Sequence, residues 1–215
     1  MHIRLALLVA FSVALIGSAC AQSVHKICER VDAHYNHLTS LKEHFEETYQ
    51  GAGTSRSESG VLWLRRPGKM RWEYEQPRPK LFVSDGKNVW FYVPGEAEAQ
   101  RASLKKLDDL RSPLRYLLGK TKLEKEFTDL AVTTSPSGQV TLRGFPKAMS
   151  GQVRDVELTI NGADQIEDIR IHETDGSTTE FRFSDIVENV PAPATLFQFS
   201  PPPGVSIISA EELAP

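Results

Sequence analysis

From Gly60 to Tyr92 the chain reads GVLWLRRPGKMRWEYEQPRPKLFVSDGKNVWFY, a run in which aliphatic and aromatic residues alternate with charged ones through four punctuated segments. Met70, Trp72 and Tyr74 fall on one face and Arg71, Glu73 and Glu75 on the other, the period of two expected of a sheet with one apolar side. Pro67-Gly68 and the stretch from Pro77 to Pro79 break the run, and Asp85-Gly86 supplies the positive-φ turn that joins two strands in a tight hairpin. A chain patterned this way is committed to a meander of half-buried strands. Its apolar face then needs a cover.

Candidate covers flank the meander. Val24, Ile27, Cys28, Val31, Tyr35 and Leu38 recur at three- and four-residue steps, describing an amphipathic helix with Ser23 as its N-cap. Phe45 and Tyr49 then alternate with Glu and Thr as a first strand, leading to a Gly/Ser-rich hairpin tip from Gly51 to Ser59. Between Pro94 and Leu130 the period becomes helical: Leu104, Leu107 and Leu110, a break at Ser112-Pro113, then Leu114, Leu117 and Leu118. Beyond Leu130 strands return, separated by Ser135 to Gly138, Gly144 to Gly151, Asn161 to Asp164 and Asp175 to Ser177. This order predicts a mainly β, α+β fold: a strongly curved antiparallel sheet with helices on its concave side.

The same residues resemble the LolA family of periplasmic lipoprotein carriers. The likeness is carried by Leu62-Trp63-Leu64-Arg65-Arg66-Pro67, Arg71-Trp72-Glu73-Tyr74, Ser84-Asp85-Gly86-Lys87 and Trp90-Phe91-Tyr92. A second match runs from Leu196 to Val205, with Phe181-Arg182-Phe183-Ser184 and Asn189 ahead of it, so that the likeness extends over roughly Leu38 to Ile208. Two positions depart from the family's pattern: Met70 stands where Phe is frequent, and Val93-Pro94-Gly95-Glu96 replaces an acidic turn. The resemblance implies an incomplete barrel covered by a lid of about three helices. It also implies a monomeric chaperone that takes acylated lipoproteins from an inner-membrane ABC transporter and passes them to an outer-membrane lipoprotein acceptor, with no cofactor and no covalent chemistry. In the family the arginine before this proline bonds to the lid and holds the empty carrier closed, which gives Arg66 a lid-locking role.

Residues 1–21 combine Arg4, an apolar core from Leu5 to Ile16 and Ala19-Cys20-Ala21, the layout of a secretory signal peptide. A lipoprotein signal acylated at Cys20 is the rival, but Gly17 stands where a large aliphatic residue is usual. The expectation is therefore a single domain over 22–215, exported to the periplasm. Cleavage leaves Cys28 without a disulfide partner, so stability must come from the core. The formal charge of −3 gives no case for nucleic acid.

Catalytic chemistry is not evident. Gly119-Lys120-Thr121 echoes the end of a phosphate loop but has Leu114 where its first glycine belongs. His34 and His37 lack a clear third metal ligand, and no nucleophile elbow is found. A lipid or envelope hydrolase would need a base and nucleophile that are not located. A related binding module of the same fold, an outer-membrane acceptor or a lipid-sensing domain, is the nearer alternative. What remains is apolar surface: Leu62, Leu64, Met70, Trp72, Tyr74, Phe82 and Trp90 from the sheet, facing helical stripes at Val24, Ile27 and Val31 and at Leu114, Leu117 and Leu118. Composition does not separate a packed core from a cavity here; the family resemblance implies that part of this interior receives acyl chains.

Overall fold

The structure, a computed structural model, describes residues 24–104, 122–147 and 151–210. The signal segment, the Ser23 cap and most of the two central helices lie outside the described residues.

Twelve strands make one sheet in the order β12-β6-β5-β4-β3-β2-β1-β11-β10-β9-β8-β7. The meander supplies β2 (Thr54–Arg65), β3 (Lys69–Gln76), β4 (Lys80–Asp85) and β5 (Asn88–Tyr92), each antiparallel to the next. Gly68 and Gly86 sit at positive φ in the turns between them, where a side chain would be strained. Asp85 closes its hairpin by accepting the Lys87 and Asn88 N–H groups, each at 2.7 Å. At the middle of the sheet β1 (Ser40–Gly51) pairs with β2 on one side and β11 (Thr178–Glu188) on the other. The second half continues outward through β10 (Ile166–Glu173), β9 (Val153–Ile160), β8 (Val140–Pro146) and β7 (Phe127–Thr134).

A helix at residues 24–37 lies on the inner face, placed by its own periodicity: Ile27, Cys28, Val31, Tyr35 and Leu38 are buried while Lys26, Glu29 and Arg30 face outward. The stripe joins one apolar cluster with residues of both halves of the sheet, from Leu62 and Trp72 to Leu158 and Phe183. The sheet therefore curves around the helix. Its two end strands belong to opposite edges of the order, so the sheet stays open. At roughly 1.5–3 kcal/mol for each large apolar side chain removed from water, this stripe is the principal attachment of the helix. Burial also pushes the Cys28 thiol up to about 12, which leaves it an inert packing group.

Three expectations are corrected. The Gly51–Ser59 tip is mostly strand: β1 and β2 extend as a ladder to Gly51 opposite Thr54, turning at Ala52 and Gly53, both at positive φ. Those residues look loop-like because the end of the hairpin projects into water, where an apolar alternation has nothing to cover. A sixth strand, β6 (Glu98–Ser103), stands where only helices were expected, burying just the small side chains of Ala99 and Ala102. Finally, β12 (Ser206–Ser209) adds to β6 in parallel. It ends a C-terminal segment whose Phe197 is fully buried and whose 3-10 turn Ala194–Phe197 packs against β3 and β4. Of the lid expected from about three helices, the helix at 24–37 is described, together with a helical turn at Leu123–Glu126.

Candidate functional site

Strand register sorts the expected lining residues by face. Leu62 stands opposite Trp72, Trp72 opposite Phe82, and Leu64 opposite Met70, so these five share the inner face. Tyr74, two residues beyond Trp72, joins them. All six belong to or pack against the cluster that holds the helix. Phe45 of β1 meets Trp72 and Tyr74 edge-on at 5.0 Å, and the Trp72 and Tyr74 rings stack at 5.4 Å. Phe181 adds a fourth ring, 5.6 Å from Trp72. Such an aromatic floor presents large apolar area with few polar atoms.

Trp90 is not part of it. It stands opposite Val83, which stands opposite Arg71, a row on the outer face. There its ring lies 6.2 Å from Phe199, under the C-terminal segment. Leu114, Leu117 and Leu118 lie outside the described residues.

Little space is left under the last turn of the helix. Among the described residues the cleft beneath the end of the helix, bounded by Leu38, Leu41, Leu64 and Arg66, measures about 10 Å³, roughly the room of one water. That cleft is too small to admit an acyl chain.

What fastens the helix beyond its apolar stripe is polar and sits at recognisable points. Arg66, just past the end of β2, donates to the Asn36 carbonyl at 2.7 Å and to the Tyr35 carbonyl. Both carbonyls belong to the last turn, where four C=O groups lack intrahelical partners and the helix end carries negative partial charge; a guanidinium with several donors suits both needs. The chain leaving the helix is pinned as well. Asn189 accepts the Thr39 N–H and hydroxyl, each at 3.0 Å, and the Arg66 N–H reaches the Thr39 carbonyl at 3.0 Å. Along its length Arg30 meets Asp164 at 3.0 Å, His34 meets Glu188 at 2.8 Å, and the Tyr35 hydroxyl accepts the buried Ile166 N–H at 2.8 Å. At its start His25 lies 3.0 Å from Glu124, and further along Asp32 accepts the Leu123 N–H at 3.1 Å.

Polar clusters elsewhere are internally matched. His37 contacts the Ala33 carbonyl of its own helix, so His34 and His37 engage different groups. Asp155, Glu157 and His172 come close enough to share an ion, but Asp155 is held by Arg143 and Arg154, each at 2.9 Å. Within the interior, Glu47 accepts the Tyr74 hydroxyl at 2.8 Å. Glu43 is different: it shares the inner face with Leu41 and Phe45, exposes no surface, and neither carboxyl oxygen has a partner among the described residues. Burial raises its pKa to about 8.

Residues 36–200 match the family described as "Outer membrane lipoprotein carrier protein LolA". The outer-membrane lipoprotein carrier protein of Dechloromonas aromatica is 35% identical over 152 residues, covering 70% of this chain and 71% of its own. That of Alkalilimnicola ehrlichii is 29% identical over 217 residues, covering 98% and 97%. Among solved structures, a DUF1329 family protein from Desulfovibrio piger superposes with a TM-score of 0.50 at 12% identity, over 83% of this chain and 97% of that one, a likeness of fold.

Proposed function

This chain belongs to the LolA family of outer-membrane lipoprotein carrier proteins, and from that premise we propose that it shelters the acyl chains of lipoproteins while they cross the periplasm. The observation that carries the reading is the buried aromatic floor under a helix whose last turn is clasped by Arg66. Leu62, Leu64, Met70, Trp72, Tyr74 and Phe82 would line the chain-binding surface once the helix swings away. Leu114, Leu117 and Leu118 would complete it from two further lid helices. Trp90, packed under Phe199 on the outer face, is left out.

Energetics give the carrier its purpose. Each methylene hidden from water is worth about 0.8 kcal/mol, so ten correspond to roughly 8 kcal/mol. Exposing the floor costs the empty protein in the same way, so closure over it keeps the unloaded form soluble and makes loading and release a balance between two apolar burials. Arg66 would set that balance by stabilising the closed state. Loading would come from an inner-membrane lipoprotein-releasing ABC transporter and release would go to an outer-membrane acceptor. Neither step asks the chain for covalent chemistry. The domain would span residues 22–215 after removal of the signal at 1–21.

Native mass spectrometry of the protein recovered from its own periplasm tests this reading. A co-purifying acylated polypeptide is the expected finding; a population free of any lipid-modified protein, even when outer-membrane transfer is blocked, would overturn it.

A further inference from the structure

Two polar groups inside the apolar interior lack any partner among the described residues: the carboxyl of Glu43 and the indole N–H of Trp72. They occupy one cross-sheet row, Glu43 opposite Leu62 and Leu62 opposite Trp72. Other polar groups buried nearby are satisfied. Ser84 donates to the Gly68 carbonyl at 2.8 Å, and Glu47 receives the Tyr74 hydroxyl. Native interiors leave few such groups unmatched, and Glu43 has no exposed surface through which water could serve it. The titratable group that feels it from the helix above is the phenol of Tyr35. With burial lifting its pKa to about 8, the Glu43 carboxyl keeps its proton at neutral pH and offers an O–H donor.

The row thus places two donors, an O–H and an N–H, in an apolar interior where the described residues supply no acceptor. A matching ligand brings an uncharged acceptor oxygen attached to hydrocarbon. Ester and amide carbonyls of fatty acyl groups have that chemistry. A free carboxylate has acceptor oxygens too, but its charge would enter a site with no cation beside it among the described residues, which is far costlier.

We propose that Glu43 and Trp72 form a carbonyl-recognition site that hydrogen-bonds the ester oxygens of acyl chains held in this interior. The proposal rests on the carrier reading and adds to it a polar fix point. Burial of methylenes is non-directional, so a chain held by it alone can slide along the floor. A hydrogen bond at the carbonyl sets the depth at which the chain begins.

The test compares dioleoylglycerol with its ether analogue dioleylglycerol, which keeps both chains and lacks both carbonyls. Binding is read by displacement of a fluorescent fatty-chain probe from the mature protein. The ester should bind about tenfold more tightly than the ether, the scale of a net hydrogen bond in an apolar site. Glu43→Leu should remove that preference while leaving ether binding in place, which also shows that the variant is folded. Glu43→Gln, whose amide donates, should keep the preference. Equal binding of ester and ether by the unaltered protein, or a preference that survives Glu43→Leu, would overturn the site. Oleate bound more tightly than monooleoylglycerol would reassign the pair to a carboxylate and likewise overturn it. Failure to bind either diglyceride would instead strike at the carrier reading itself.

Discussion

A carboxyl sealed among hydrocarbon side chains makes the protein's stability depend on pH in an unusual direction. Glu43 titrates near 8 in the folded protein and at 4.5 when unperturbed, so between those values the folded state holds a proton that the unfolded state has released. Stability is then fully present below about pH 4.5 and falls as pH rises towards 8, by at most about 1.4 kcal/mol per unit. Glu43→Leu should flatten this slope and stabilise the protein at pH 7 by roughly 1–3 kcal/mol, because it removes a buried polar group with no partner. Urea titrations at pH 5, 7 and about 8.5 check this; a variant less stable than its parent at pH 7 would contradict it. The sequence held the clue in parity, since Glu43 lies two residues from both Leu41 and Phe45. It went unread because a run rich in Glu resembles a solvated face. Trp90 failed for the opposite reason. Trp90, Phe91 and Tyr92 are consecutive aromatics with no polar residue to set the phase, and the strand is covered on both sides.

Among the elements, the meander was legible above all in β3, where apolar residues on the buried face alternate with charged ones on the other, which writes the register into the alternation. The helix at 24–37 was legible from its stripe, and its four buried residues, with Leu38 just beyond it, are those of the three-and-four periodicity. What periodicity could not convey is the clasp at its end, since carbonyl partners leave no mark in side-chain pattern; Arg66 was singled out through the family likeness. Its loss should loosen the last turn. Arg66→Leu removes two charge-assisted bonds to a partly exposed site, a change of about 1–2 kcal/mol and hence roughly 5–30-fold in the open population. Amide hydrogen exchange in residues 24–37 should accelerate by that factor, with acyl chains bound more tightly and surrendered more slowly to an acceptor. Unchanged exchange would remove Arg66 from the switch.

At the scale of the molecule, the sheet is covered by different material on its two faces. Inside lies the helix; outside, over β3 to β5, lies the segment from Ala194 onward, anchored by Phe197 and by Phe199 against Trp90 and Tyr92. The Arg65 side chain secures its approach by donating to the Ala192 carbonyl at 2.7 Å. Phe197→Ala should cost about 3–5 kcal/mol, seen as a lowered midpoint in thermal unfolding, because a fully buried ring leaves a cavity between this segment and the sheet. Acyl-chain binding at temperatures where the variant remains folded should be unaffected, since the lesion lies on the far side of the sheet. A large loss of binding with little loss of stability would show that the two faces are not independent.

The placement of the helix's attachments also has a mechanical side. Fourteen residues at 1.5 Å each make a rod about 21 Å long, with the Arg66 and Asn189 bonds at one extremity and the His25–Glu124 contact at the other. A rotation of about 20° about a pivot near Thr39 carries Val24 through about 7 Å, and the bonds from Arg66 to the Tyr35 and Asn36 carbonyls set how freely that pivot turns. The weak, exposed histidine contact therefore resists the greatest torque per bond, and the tip of the rod, rather than its clasped base, is where a gap wide enough for a fatty tail would first appear.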